Sequence, residues 1–305
     1  MVVLQEVGVK NMGVKTKRKK EMKHKSILLL ACLGTLVACG NNGDSITVVT
    51  REDGSGTKSA FMEILGLKGK KDIEGVVTQT GTAAVMAEVK NNKNAIAYDS
   101  LGYVTDEVKK LNVDGVAPTI ANIKSGAYGI SRPLNVVYKE ETIKNSSLFS
   151  AYLDFLKSKD AQTIISDEGY VSILDGAEDY VKDESLNGTI KISGSTSLQP
   201  LMIVLAEKFK TYQSNVTIEV SGGGSGTGYS NASNGTSDFG MISAEFDSSK
   251  APSCTSYTVA KDGIAVIVNK ANVLDSISKE DLKNIYNCDL SGDEHITKWS
   301  QLSAK

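Results

Sequence analysis

Short apolar runs rich in β-branched residues recur along the chain, and three of them end in loops of glycine and hydroxyl residues. The runs are 46–50, 188–192 and 216–220, and the loops that follow them are 51–57, 193–200 and 221–228. Apolar positions at helical spacing follow two of the loops, over 58–65 and 201–212. The pattern predicts a repeated unit in which a buried strand ends in a tight loop and a helix begins.

Such repeated units predict an α/β fold with mixed, mainly parallel sheets flanked by helices. In these folds ligands bind at the carboxyl ends of the strands. The three glycine and hydroxyl loops all follow strands, so all three can face one cleft. Elsewhere the pattern predicts one helix over 148–166, a hairpin-like turn at Asp114-Gly115, and two strands joined around Asp262-Gly263.

The first 39 residues have a different pattern from the rest. Eight basic and two acidic residues precede an apolar run of twelve residues, 27–38, which is shorter than the ~20 residues needed to span a bilayer. A basic segment followed by a short apolar segment predicts a secretory signal peptide. The segment 36–40 resembles the bacterial lipobox, so Cys39 is predicted to be acylated and 40–45 to form a tether. The alternative is a plain signal peptide with a chance cysteine.

Charge and cysteine content narrow the function classes. From Cys39 onward there are 26 basic and 34 acidic residues, a net charge of −8, which argues against nucleic acid as a partner. Cys254 and Cys288 could pair outside the membrane, and the sequence leaves this open. The histidines, His24 and His295, are too few and too far apart in sequence to predict a metal site or a Ser-His-Asp triad, and no cofactor is expected.

The residue types in the three loops predict an anion site. Backbone N–H groups at a helix start are unpaired and carry a partial positive charge. Hydroxyl groups add donors, and an arginine adds a planar fork of donors that matches a tetrahedral oxyanion. For each loop alone, an ordinary helix cap is the alternative. The residues predicted to bind the anion are Arg51, Ser55, Gly56, Thr57, Ser195, Thr196, Ser197, Ser225 and Gly226.

Asp238 is the acidic member of the predicted site. A carboxylate would repel a fully ionised oxyanion, but it can accept a hydrogen bond from an oxyanion that still carries a proton. Phosphate at neutral pH carries a proton and sulfate does not, so one aspartate can discriminate between them. The alternative for Asp238 is a cap or a salt bridge at a strand entrance.

Several of these loops resemble those of a known protein family. The motifs resemble the ligand loops and later segments of the substrate-binding proteins of phosphate ABC transporters. They are Arg51–Thr57, Ile192–Pro200, Ser221–Gly228 with Asp238–Gly240, Asn94–Tyr103 and Ile130–Leu134. The resemblance covers the chain from Ile46 to Trp299.

The resemblance implies a two-lobed periplasmic-binding-protein fold of type II with phosphate in the cleft between the lobes. It also implies capture of inorganic phosphate outside the membrane and delivery to the membrane subunits of an ABC permease. The protein would act as a monomeric binding subunit held on the bilayer through Cys39, and it would not be an enzyme. The alternatives are a carrier for another tetrahedral oxyanion such as sulfate, and an enzyme acting on phosphate esters.

The order of the loops departs from the usual family pattern. In the family the GSTS loop, here 194–197, comes before the RxxxSGT loop, here 51–57. The chain therefore resembles a circular permutant, with one lobe formed by 46–132 and 261–305 and the other by 133–260. The alternative is a fragment of two tandem copies, which would put a complete site within one chain in doubt.

Overall fold

The computed structural model describes residues 43–302, which fold as mixed strands and helices. The strands are β1 (Thr47–Arg51), β2 (Val77–Gln79), β3 (Ala95–Ser100), β4 (Lys109–Lys110), β5 (Asn112–Val113), β6 (Ser131–Tyr138), β7 (Gly188–Gly194), β8 (Val216–Ser221), β9 (Phe239–Ile242), β10 (Thr255–Val268) and β11 (Ser276–Ile277). The helices are α1 (Gly56–Ile64), α2 (Thr82–Asn91), α3 (Ile120–Lys124), α4 (Glu140–Lys144), α5 (Ser147–Leu156), α6 (Lys159–Asp167), α7 (Gln199–Tyr212), α8 (Ser225–Asn234) and α9 (Lys279–Tyr286). Two short 3₁₀ turns lie at Gly292–Glu294 and Trp299–Gln301.

The main sheet is mixed and runs in the order β2-β1-β3-β10-β6-β9-β7-β8, with β4 also paired to β10. β1 is parallel to β2 and β3, and β7 is parallel to β8 and β9. The long strand β10 is antiparallel to both of its neighbours, β3 and β6. The predicted α/β class is confirmed. The three strands that carry the glycine and hydroxyl loops at their carboxyl ends, β1, β7 and β8, all pair in parallel.

The prediction of two strands around Asp262-Gly263 is wrong, because β10 runs straight through both residues. Residues 255–263 pair with β6, and residues 264–268 pair with β3. Asp262 lies opposite Arg132 and forms a buried ion pair with it instead of a turn. A Cβ on Gly263 would lie 2.6 Å from the Ile123 side chain, so the glycine provides close packing rather than chain reversal.

Strand β10 therefore divides the sheet into two halves. Half A contains β1, β2, β3, β4 and residues 264–268 of β10, and half B contains residues 255–263 with β6, β7, β8 and β9. One large core cluster draws all its buried members from residues 134–260. Two others draw theirs from half A and its flanking segments, together with Val171. The division into lobes at 133 and 261 stays a prediction.

Two local predictions have opposite outcomes. The turn at Asp114-Gly115 is confirmed, since both residues have positive φ, 50° and 78°, and Val113 bridges Val116. The single helix over 148–166 is wrong. It breaks after α5 because the Ser158 hydroxyl accepts the Ala161 N–H and caps the start of α6.

Some predictions concern residues at the ends of the chain. The predicted signal peptide, Cys39 and part of the tether lie outside the described residues. Within 43–302, no helix combines the length and apolar character that crossing a bilayer requires. Cys254 and Cys288 are both free thiols, so the pairing that the sequence left open is absent from this part of the chain.

Candidate anion-binding site

The amino ends of four helices meet where half A and half B come together. They belong to α1 and α2 of half A and to α7 and α8 of half B. Each helix has at least nine residues, so each end carries a substantial partial positive charge. Like charges brought together repel one another, and a bound anion would relieve that repulsion.

Arg51 lies at the centre of this arrangement, at the end of β1, and is 1% exposed. Its Nε and Nη2 bind both carboxylate oxygens of Glu52, at 2.8 and 2.9 Å. Nη2 also donates to the Thr196 hydroxyl at 3.1 Å. The third nitrogen, Nη1, is buried and has no hydrogen-bond partner in the protein. Glu52 thus fixes one edge of the guanidinium and leaves both N–H donors of Nη1 available.

Hydroxyl groups from both halves hold the loops against each other. The Thr196 hydroxyl accepts from Thr82, 3.0 Å away, as well as from Arg51. Thr57 and Ser197 are joined by a buried hydroxyl–hydroxyl hydrogen bond of 2.9 Å. The Ser195 hydroxyl accepts from the backbone N–H groups of Ser197 and Leu198 and so shapes the turn before α7. Donors that are fixed in this way need little reorganisation when a ligand binds.

The start of α1 packs directly on the start of α8. The Gly226 N–H donates to the Gly54 carbonyl at 2.9 Å and joins the two halves. A Cβ on Gly56 would lie 2.3 Å from the Ser225 hydroxyl and 2.7 Å from that of Ser243, so only glycine fits between them. The Ser55 hydroxyl accepts the Lys58 N–H and caps α1.

Four ionisable side chains form the floor of the site, and none is more than 2% exposed. Arg132 binds Asp262 at 3.2 Å and donates to the Ser243 carbonyl at 3.1 Å. The Ser100 hydroxyl donates to Asp262, and its N–H donates to one oxygen of Asp99. The fourth member is Arg51.

Burial and neighbouring charge change the protonation of this floor. Burial raises the pKa of Asp99 to about 7, although Arg51 and Arg132 oppose the shift. Burial also raises the pKa of Asp262 and lowers that of Arg132, and the ion pair between them opposes both shifts. Burial alone would raise the pKa of Glu52 too, but the hydrogen bonds and charge of Arg51 hold it below its ordinary value. Glu52 is therefore ionised at neutral pH, whereas Asp99 titrates there.

The structure brings nine of the ten predicted binding residues together and places the tenth elsewhere. Asp238 is half-buried, and its carboxylate accepts the Lys191 N–H at 2.7 Å. It precedes β9, whereas the site lies at the other end of that strand, about 16 Å away along an extended chain. Ser243, the residue directly after β9, reaches the site instead, and its N–H donates to the Ser225 hydroxyl at 3.0 Å.

Sequence reasoning missed several residues of the site. Thr82, Asp99 and Ser243 all lie where a strand or turn gives way to the next element, so the carboxyl-end rule could have found them. Asp262 lies in the middle of a strand and Arg132 near the start of one. Arg132 falls within the Ile130–Leu134 motif of the family resemblance, but no local pattern marks it or Asp262 as a residue of the site.

The groups assembled at this site are hydrogen-bond donors suited to an anion. Within 43–302 no group of three or more His, Cys, Asp or Glu side chains is placed to hold a metal ion. The hydroxyl groups bind one another, Arg51 or backbone N–H groups. These are the features of a rigid receptor for a small oxyanion.

Comparisons with known proteins agree with this geometry. A family model for a domain of the PBP superfamily matches residues 38–160 and 182–305. The phosphate-binding protein PstS 2 of Streptococcus agalactiae serotype V is 36% identical over 300 residues, covering 92% of this chain and 99% of its own. The chain belongs to the PstS family of the PBP superfamily. PstS 2 of Streptococcus pneumoniae serotype 4 is 35% identical over 92% of this chain and 100% of its own.

A solved structure supports the fold of this PstS-family protein. It is the crystal structure of a phosphate-binding protein of a phosphate ABC transporter from Streptococcus pneumoniae TIGR4, at 1.77 Å resolution. The TM-score is 0.66 at 33% identity, over 85% of this chain and 99% of that one. The PstS 2 alignments run through nearly the whole of both chains.

Proposed function

We propose that this protein captures inorganic phosphate outside the membrane and delivers it to an ABC-type importer. The observation that carries the proposal is the meeting of four helix amino ends around Arg51, with Nη1 buried and unpartnered. Relatives that align over nearly the whole chain are named as phosphate-binding proteins. A tetrahedral oxyanion supplies the acceptors that this concave set of donors needs.

Each loop has a role in this proposal. Arg51 pairs with the charge of the anion, and Glu52 holds its orientation. The starts of α1 and α8 donate through backbone N–H groups and through the hydroxyls of Ser55, Thr57 and Ser225. The loop 195–197 closes the site from half B through hydroxyl and N–H donors. The protein binds and releases phosphate without making or breaking a bond.

The test is calorimetric titration of the purified protein with phosphate and, separately, with sulfate. We expect tight one-to-one binding of phosphate and much weaker binding of sulfate. Equal affinity for the two anions would favour a general oxyanion carrier. A folded protein that binds no phosphate would contradict the proposal, and slow hydrolysis of a phosphate ester in the same samples would favour an enzyme.

The membrane anchor is a separate part of the proposal and rests on the sequence around Cys39. We propose that Cys39 is acylated, which holds the protein on the outer face of the membrane beside the permease. Labelling of cells with a palmitate analogue should mark the wild-type protein and not Cys39→Ala, and Cys39→Ala should appear in the medium. A labelled Cys39→Ala variant would contradict this assignment. Light scattering of the purified protein should show a monomer.

A further inference from the structure

Each of the four buried charged groups on the floor of the site leaves one polar atom without a partner in the protein. These atoms are Arg51 Nη1, Asp99 Oδ2, Arg132 Nε and Asp262 Oδ1. Buried polar atoms without partners are rare, because each one loses its hydration and gains nothing in return. Four at one place would be satisfied by a group that can both accept and donate hydrogen bonds.

Asp99 and Arg51 lie side by side on neighbouring strands. β1 and β3 are parallel, with Thr47 opposite Ala95 and Val48 opposite Ile96. The same register continued to the strand ends places Arg51 opposite Asp99, and side chains at paired positions share one face of the sheet. Asp99 Oδ1 is held by the Ser100 N–H at 2.9 Å. The unpartnered oxygen of Asp99 is thus presented at the same strand ends as the unpartnered nitrogen of Arg51.

The charges around Asp99 are Arg51, Arg132 and Asp262, with Glu52 next to Arg51. The two arginines balance Glu52 and Asp262, so an ionised Asp99 would give the floor a net negative charge. The charged residues of the neighbouring helices do not change this net charge, because each is paired with another residue. On α1, Lys58 pairs with Asp53 and Asp72, and Glu63 pairs with Lys68.

The charged residues of α2 are also engaged elsewhere. Glu88 accepts hydrogen bonds from the Gln79 and Asn92 side chains, and Lys90 pairs with Glu107. An anion and an ionised Asp99 on this floor would repel each other. One proton between them removes the repulsion and turns it into a hydrogen bond.

We propose that Asp99, rather than Asp238, shares one proton with the bound oxyanion and thereby sets the selection of phosphate over sulfate. This inference rests on the proposed function. Phosphate brings its own proton, which ionised Asp99 accepts, so phosphate binds without prior protonation of the protein. Sulfate brings none, so it can bind only to protein in which Asp99 is already protonated.

The consequence is a pH dependence that differs between the two anions. Burial raises the pKa of Asp99 to about 7. Sulfate affinity should therefore fall about tenfold for each pH unit above about 7, because the protonated fraction of Asp99 falls at that rate. The affinity of sulfate reports the protonation of Asp99 directly, because sulfate does not change its own protonation state across this range.

The experiment measures sulfate affinity by competition against phosphate between pH 5.5 and 8.5. It uses wild-type protein, Asp99→Asn and Asp238→Asn. We expect sulfate to displace phosphate from the wild-type protein at low pH, and its affinity to fall steeply above pH 7. Asp99→Asn should bind sulfate with little pH dependence, narrowing the preference for phosphate at pH 8 by at least tenfold. Asp238→Asn should behave as wild type, because its carboxylate binds Lys191 at the other end of β9.

A second measurement needs no variant. Calorimetry in two buffers of different ionisation enthalpy should show uptake of about one proton per sulfate bound by the wild type at pH 8. Sulfate competition that is absent throughout or independent of pH, with no proton uptake, would overturn the proposal while leaving phosphate binding intact. Loss of the preference for phosphate over sulfate in Asp238→Asn, but not in Asp99→Asn, would show that Asp238 is the residue that shares the proton. A folded wild type that binds no phosphate would instead contradict the proposed function.

Discussion

The anion site and the cavity next to it both contain paired cationic side chains, but the two regions differ in burial and in whether every donor has a partner. The outer cavity has a volume of about 500 Å³ and shares Gly54 and Ser55 with the site. Its lysines are paired: Lys58 with Asp53 and Asp72, and Lys68 with Glu63 at 2.8 Å. In the anion site, by contrast, Arg51 is 1% exposed and keeps Nη1 without a partner.

If phosphate binds at Arg51 as proposed, the volume of a cavity and its number of cations are poor guides to an anion site. An exposed lysine beside a carboxylate is already neutralised and is screened by water and salt. A buried donor that has lost its hydration and has no protein partner gains the most from a ligand. The region around buried Arg51 is therefore the better candidate, and the following experiments test that contrast.

The largest effect is expected for Arg51→Met. It removes the only fixed positive charge that the three predicted loops supply to the site, and losing a buried, hydrogen-bonded charge costs about 2–5 kcal/mol of binding free energy. Phosphate affinity measured by calorimetry should fall at least about thirtyfold. The variant leaves the Glu52 carboxylate without its partner, so thermal unfolding measured in parallel checks that the protein is still folded. Affinity within a factor of three of wild type, in a folded variant, would contradict the assignment.

Gly56→Ala should have the next largest effect. The new methyl group would lie 2.3 Å from the Ser225 hydroxyl, so the two halves cannot approach as they do here. Overpacking of this kind costs about 1–3 kcal/mol, which corresponds to about five- to 150-fold in affinity. Small-angle scattering with phosphate should show a more open molecule. Gly43→Ala is the matched control, since nothing lies within 4 Å of that position, and it should leave affinity unchanged.

The free energy of unfolding should depend on pH in opposite directions in the two regions. The pKa of buried Asp99 is raised, so the folded protein holds that proton more tightly than the unfolded chain, and its ionisation lowers stability as pH rises from about 4 to about 7. In the outer cavity Lys58 lowers the pKa of exposed Asp53, so that carboxylate loses a small contribution only as pH falls below about 4.

Thermal unfolding of Asp99→Asn and Asp53→Asn from pH 4 to pH 8 checks this difference. Asp99→Asn should reduce the fall in Tm between pH 4 and pH 7 and should melt several degrees above wild type at pH 8. Asp53→Asn should follow the wild-type profile throughout that range. An unchanged slope in Asp99→Asn would show that the carboxylate is hydrated rather than buried.

The smallest effect is expected for Lys68→Met in the outer cavity. Its ammonium group is exposed and paired with Glu63, and such pairs contribute about 0–1 kcal/mol. Phosphate affinity should change less than twofold at 150 mM salt. A tenfold loss would mean that the outer cavity attracts the anion directly, and the contrast between the two regions would then be wrong.

Much of the site could be predicted from sequence because its parts are local. A strand, a glycine turn and a hydroxyl at a helix start are encoded within a few neighbouring residues, so Arg51, Ser55 and Ser225 could be identified from their loops. The two candidate acidic residues differ in their place on a strand. Asp238 precedes β9, whereas Asp99 lies at the carboxyl end of β3, where the carboxyl-end rule places ligands.

The sequence by itself determined the α/β class, the three donor loops and the family, because these depend on local residue order and on motifs. The tertiary structure alone decided that β10 crosses both halves, that Asp262 pairs with Arg132, and that Asp99 lies beside Arg51. These contacts join residues more than 40 positions apart. Their energies depend on burial and pairing, and a linear pattern of residue types contains no information about which distant partner removes a side chain from water.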